Sequence, residues 1–148
     1  MEPKKRITSF RDLEVYQESY RASIEVMTKV TPKLPESERF DLKDQLSRSC
    51  KAVPRLIAEG YAKKHQKFGF QKYIDDAMAE TNETIVRLEH SRDIYHVDSV
   101  LCNNLIAIYD KTARQLFRLA DAWDTFKARS RHTKPTNNTG GHTSNTQP

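Results

Sequence analysis

Apolar residues recur at steps of three and four along four stretches of this chain, separated by short polar or proline-bearing connections. That period belongs to amphipathic helices; a strand would alternate every second residue. The first stretch runs from about Ser9 to Val30, with Phe10, Leu13, Tyr16, Tyr20, Ile24, Met27 and Val30 as its stripe. Ser9, with Asp12 three residues on, supplies an N-terminal cap. Thr31-Pro32-Lys33-Leu34-Pro35 ends the stretch, because proline cannot continue the hydrogen-bond ladder. The second runs from about Glu36 to Lys64, through Leu42, Leu46, Cys50, Val53, Ile57 and Tyr61. The third runs from about Phe68 to Tyr95, through Phe70, Ile74, Ala77, Met78, Thr81, Ile85 and Leu88. The fourth opens near Asp98-Ser99 and follows Leu101, Leu105, Ile108, Thr112, Leu116, Leu119, Trp123 and Phe126.

Long helices joined by short connections must fold back on one another, so the pattern predicts an all-α, antiparallel up-down-up-down four-helix bundle over residues 1–129. Pro54 interrupts the second pattern, where it removes a backbone donor and clashes one turn back; a bend or break is expected there. Ser130 to Pro148 contains no aliphatic, aromatic or sulfur side chain. Such a segment cannot offset its ordering entropy by burial, so a disordered polar tail is expected over 130–148.

Composition fits this reading. A chain of 148 residues suits one domain with a modest core. The longest unbroken apolar run, Leu105-Ile106-Ala107-Ile108-Tyr109, is far short of a membrane span, and no secretory signal follows the charged start. Cys50 and Cys102 both fall on or near apolar stripes and read as reduced core thiols, which fits the cytoplasm.

Catalytic chemistry is hard to write on this sequence. Di-metal bundles use Glu-x-x-His pairs, and none of the five histidines has a Glu three residues earlier. Glycine occurs only at 60, 69, 140 and 141, so no phosphate-cradling loop can form. Neither cysteine has a helical neighbour that would act as its base. The carboxylate pairs Asp75-Asp76 and Glu80-Glu83 read as a solvated face. The expectation is a protein with no catalytic residue, no metal and no cofactor.

Charge is the stronger clue. The formal charge is +5, but four basic residues follow Phe126 with no acid beside them, and the rest of the chain is nearly balanced. Within it, residues 43 to 72 carry eight basic residues and two acids, whereas 73 to 98 carry two basic residues and seven acids. On a helical wheel Arg48, Lys51 and Arg55 share a face opposite the second apolar stripe, and Lys63, Lys64 and Lys67 continue into the turn. Lys111, Arg114 and Arg118 form a smaller strip on the fourth helix. A ridge of this kind suits phosphates, which bind without base specificity. The competing reading is charge complementarity with the acidic third helix, within one subunit or across a homo-oligomer contact.

The residues assembled so far resemble a known family. Phe10-Arg11-Asp12-Leu13-Glu14-Val15-Tyr16-Gln17 is similar to its opening motif. Glu38-Arg39-Phe40, Leu42, Gln45-Leu46-Ser47-Arg48-Ser49 and Pro54-x-x-Ile57-Ala58-Glu59-Gly60 resemble its second-helix signature. This is the small four-helix-bundle family encoded in intervening sequences of large-subunit ribosomal RNA genes, related to accessory proteins of diversity-generating retroelements. The resemblance covers roughly residues 7 to 126. It implies a non-enzymatic homopentamer, and its retroelement branch implies binding of nucleic acid and a reverse transcriptase through a basic barrel. Leu56 stands where the family usually has Asn, and Ala79-Glu80 where it usually has Gly-Ser.

Together these readings predict a non-catalytic, homo-oligomeric adaptor that binds RNA or DNA, with a reverse transcriptase as a candidate partner. Its nucleic-acid-binding residues would be Arg48, Lys51, Arg55, Lys63, Lys64, Lys67, Arg114 and Arg118. The alternative is a protein-interaction scaffold with no nucleic-acid role.

Overall fold

The computed structural model describes residues 6–66 and 68–132, with side chains described as far as Trp123. All regular structure among the described residues is helical: α1 Glu14–Glu25, α2 Leu42–Ala62, α3 Gly69–Asp93 and α4 Ser99–His132. The four form the expected bundle. The closest neighbours are α2 with α3 and α3 with α4; α1 lies between α2 and α4 and packs more sparingly on both. The helices α2 and α4 therefore stand on a diagonal and scarcely meet. The first three residues of the expected tail, 130–132, continue α4, and 133–148 lie outside the described residues.

The helix starts follow from local hydrogen bonding. Ser9 and Asp12 form the predicted capping box, with Asp12 Oδ2 accepting from the Ser9 and Thr8 N–H groups at 3.1 and 2.9 Å. It caps a short 3-10 turn, Phe10–Asp12, before α1 begins. Asp98 Oδ1 accepts from the Val100 and Leu101 N–H groups at 3.0 and 3.1 Å, which opens α4.

The first helical stretch differs from its predicted stripe. Val15, Ser19, Ala22, Ser23, Val26 and Val30 are buried, while Tyr20 and Ile24 are about half exposed. Two stripes with helical spacing run side by side here, and the one with small residues faces inward. Its serines tolerate burial because each hydroxyl donates to its own helix, Ser19 to the Tyr16 carbonyl at 3.1 Å and Ser23 to the Tyr20 carbonyl at 2.6 Å. The stretch also widens into a π-helical turn, Val26–Val30, closed by the Thr31 N–H donating to the Val26 carbonyl. Pro32 then sits in a 3-10 turn, Thr31–Lys33.

Pro54 does not break α2, which runs unbroken from Leu42 to Ala62 with Pro54 buried inside it. Its burial, beside buried Val53, Leu56 and Ile57 in the same helix, points to tertiary packing as what offsets the helix cost. Fully buried Leu46, Ile57, Ile74, Leu88, Leu105 and Leu116 form the centre, each worth about 1.5–3 kcal/mol of transfer free energy. Tyr109 is buried among them, and that burial keeps its phenol in the neutral form.

Gly60 lets α2 and α3 approach closely. A Cβ at this position would stand 3.0 Å from Tyr73 Cβ, 3.7 Å from Ile74 Cδ1 and 3.7 Å from the Phe70 carbonyl oxygen. Farther along the same seam, Thr84 Oγ1 donates to the Glu80 carbonyl at 2.8 Å and lies 3.0 Å from Ser49 Oγ across the helix boundary. Glycine, serine and threonine thus replace bulk where the two helices touch.

A second tie holds the bundle at its other end. Glu38, in a 3-10 turn before α2, accepts from the Leu42 N–H at 3.0 Å and from the Tyr95 hydroxyl just past α3. The Tyr95 hydrogen bond first, and then that from Leu42, holds the Glu38 carboxyl below its ordinary 4.5. A lowered carboxyl pKa contributes stability above the unfolded value, lost as pH falls through the folded one.

Both ties can be tested by substitution. Gly60→Val is expected to destabilise the fold by about 1–3 kcal/mol through overpacking, read from urea unfolding midpoints; an unchanged midpoint would contradict the close approach. Tyr95→Phe is expected to melt below wild type at neutral pH, with the gap narrowing as pH falls below 4.5. Thermal melts at stepped pH check it, and a gap that stays constant to strong acid would detach Glu38 from Tyr95.

Candidate nucleic-acid interface

Arg48, Lys51 and Arg55 are all exposed on the outward side of α2, since their steps of three and four keep them on one face. From Arg48 to Arg55 the ridge is about 10 Å long at 1.5 Å per residue. Each arginine is tethered by its own helix. Arg48 Nε lies 3.0 Å from Asp44 Oδ2, and an Arg55 terminal nitrogen donates to Glu59 Oε1 at 3.2 Å. Both remain largely in water, with the Arg48 side chain 78% and the Arg55 side chain 58% exposed. Exposed pairs of this kind contribute little stability, about 0–1 kcal/mol, so a phosphate can compete for the arginines. Among the described residues Lys51 makes no ion pair.

The acidic third helix touches the ridge only weakly. Glu80 sits above the ordinary carboxylate range, chiefly through desolvation and then through Glu83, while Arg87 and Arg55 act in the opposite direction. Arg87 pairs with Glu83 at 3.1 Å and reaches across to Gln45 of α2 at 3.4 Å. Among the described residues no ion pair therefore joins α2 to α3, and the charge complementarity considered from the sequence reduces to Arg55 acting on Glu80.

At the C-terminal end of α2, Lys63 is exposed and Lys64 lies with its ammonium 3.8 Å from the Tyr61 ring centroid. Lys67 lies outside the described residues. Arg114 and Arg118 are exposed on α4, diagonally across the bundle from α2, so the eight candidate residues do not make one surface. Lys111 on the same helix is committed to α1, with Nζ 2.9 Å from Glu18 and 3.4 Å from Glu14. The second basic strip thus shrinks to two arginines.

The family profile that matches residues 11–118 is that of the 23S rRNA-intervening sequence protein. The chain belongs to this family. No curated protein matches it in sequence. Within the matched span, Leu56 is buried and adds to the apolar core, whereas Ala79 is exposed.

The thiols and histidines gather into no metal-holding group: among the described residues no three His, Cys, Asp or Glu side chains come together. Both cysteines are buried, and desolvation pushes the Cys50 thiol up to about 11 and raises Cys102 as well. No described helix is long and apolar enough to cross a membrane.

The stripe reading hid one feature among core positions. Tyr61, Phe70, Leu119 and Trp123, with Ile7, Leu13 and Lys64, line an apolar pocket at the end of the bundle. Its sequence signal was the interleaving of aromatic and basic residues from Tyr61 to Tyr73, which hydropathy alone divides between stripe and turn.

Proposed function

We propose that this member of the 23S rRNA-intervening sequence protein family is a non-catalytic adaptor that binds nucleic acid through the α2 ridge and works as a homo-oligomer. The observation that carries the reading is the outward ridge of Arg48, Lys51 and Arg55 continued by Lys63, in a body whose charge is otherwise nearly balanced. Such a surface reads backbone phosphates, whether RNA or DNA, and shows little base preference. Arg114 and Arg118 contribute only if the polyanion reaches a second side of the bundle. The retroelement likeness extends the reading to a reverse transcriptase as protein partner.

Assembly is supported by apolar residues left at the surface of α1. Ile24 is about half exposed and, with Ala22 and Ile108, floors a groove of roughly 530 Å3 between α1 and α4. Glu18, Arg21, Glu25 and Lys111 rim it with both signs of charge, as at a contact that must be oriented. A ring of copies, five by family likeness, would repeat a weak phosphate site into useful avidity.

A specific observation favours the scaffold alternative. Asp44 and Glu59 neutralise two of the three ridge cations, and Glu80 faces Arg55 from α3. On that reading the ridge docks on an acidic protein surface, and nucleic acid does not bind.

Titration of structured RNA and duplex DNA at two salt concentrations separates the two. Wild type is expected to bind with affinity falling steeply as salt rises. Arg48/Lys51/Arg55→Glu should bind at least about tenfold more weakly, with a log–log salt slope smaller by about 0.9 for each duplex phosphate that the variant no longer neutralises. If instead only a chain ending at Phe126 fails to bind, the basic run after it is the binder and the ridge is not. If the triple change leaves binding intact but disrupts assembly, the ridge is an assembly surface; if wild type binds neither RNA nor DNA, the scaffold reading stands.

Sedimentation equilibrium on the 17.2 kDa chain is expected to give a mass well above a dimer, reduced by Ile24→Glu. A clean monomer at micromolar concentration would remove the oligomer from the reading.

A further inference from the structure

The end of the bundle where α2 turns into α3 carries a cavity that the ridge does not use. It measures roughly 270 Å3 and is walled by Tyr61, Phe70, Leu119 and Trp123 from three different helices. Phe70 and Trp123 pack against each other with ring centroids 4.7 Å apart, and Lys64 places its ammonium on the Tyr61 ring. The lining includes one cation, Lys64, and no acid, and Lys63, its neighbour in the chain, is exposed. The N-terminus of α3 opens into the same turn with no side-chain cap on its first N–H groups. A flat apolar ligand that carries negative charge at its edge satisfies all of these features. A nucleobase attached to its phosphates is such a ligand, because every base has a stacking face and every linkage an anion.

We propose that this pocket holds one unpaired base of a single-stranded RNA, stacked against Tyr61 and Trp123, with the flanking phosphates on Lys63 and Lys64. The proposal rests on the nucleic-acid reading above and adds to it a preference for unpaired strands. Bases in a duplex are stacked on one another and cannot enter; those in loops and free ends can. The ridge on α2 then serves as a backbone contact, and the pocket supplies the choice between paired and unpaired RNA.

Tryptophan occurs once in the chain, at position 123, so its fluorescence reports on this pocket alone. Full-length protein is titrated with a short oligouridylate, with an oligoadenylate of equal length, and with a blunt RNA duplex. The single strands are expected to quench Trp123 emission saturably, while the duplex leaves it unchanged. Tyr61→Leu should weaken single-strand binding about tenfold, and Lys63→Gln with Lys64→Gln should weaken it and flatten its salt dependence. Circular dichroism confirms that each variant remains helical. Oligouridylate binding with unchanged Trp123 emission, or full affinity in Tyr61→Leu, overturns the pocket. If duplex also binds, and binding is abolished in Arg48/Lys51/Arg55→Glu, the ridge reading survives that failure. Quenching that persists in the triple variant at unchanged affinity supports the pocket and removes the ridge. Emission that follows protein concentration but no oligonucleotide marks an assembly contact, and the nucleobase reading falls.

Discussion

The close approach of α2 and α3 is the constraint on which the rest of the molecule depends. Gly60 brings the helices to a separation at which a single Cβ would meet Tyr73 at 3.0 Å, and Ser49 against Thr84 keeps the seam narrow about three turns away. Everything else on α2 takes its direction from that contact. With Gly60, Val53 and Ser49 facing inward, a helix of 3.6 residues per turn has to send Arg48, Lys51 and Arg55 outward. The same seam brings Arg55 near Glu80 and Gln45 near Arg87, so packing decides which charges are answered inside the subunit. A bulkier residue at 60 would therefore disturb the electrostatic surface as well as the core.

Most of the fold was legible because three of the four stripes are both apolar and bulky. Leu46, Cys50, Val53 and Ile57 leave no doubt about which side of α2 is buried, and the same holds for Ile74, Ala77, Thr81 and Leu88 on α3. The first stretch misled for a physical reason. Its inward face uses Ser19, Ala22 and Ser23, whose small size permits packing and whose hydroxyls are satisfied within the helix. Hydropathy gives weight to Tyr20 and Ile24 instead, and these lie half in water. At Pro54 a bend or a break was expected; the helix is not broken there, and the proline is buried within it. Neither the Glu38–Tyr95 tie nor the Arg92–Asn103 bond of 2.8 Å between α3 and α4 could be read in advance. Both pair residues whose meeting depends on helix rotation rather than on any local pattern.

The candidate interface was legible only as a direction of charge. Wheel geometry put Arg48, Lys51 and Arg55 together, and the structure agrees, because their spacing alone fixes that result. The same spacing sets Asp44 and Glu59 one turn from Arg48 and Arg55, where both pair, but it could not say that Lys111 belongs to Glu18 of α1. Nor could it show that Arg114 and Arg118 occupy a helix diagonal to the ridge. Charge counted along a chain overstates a binding surface whenever a partner is supplied through the fold.

What remains after this subtraction is a modest site on a rigid frame, and its strength would come from arrangement. Two arginines held by exposed carboxylates can be drawn away, since such pairs are worth only about 0–1 kcal/mol each. The same tethers limit what any one ridge can gain from a phosphate. A weak ridge repeated on several copies gains by effective concentration, provided that the copies present it on a common side. That requirement ties the two halves of the proposed function together. The α1–α4 groove lies on the opposite pair of elements from the α2–α3 seam, so filling the groove does not by itself cover the outward face of α2 on the same copy. Assembly through α1 and recognition through α2 are compatible in one molecule when the face that fills the next copy's groove is a face other than the ridge.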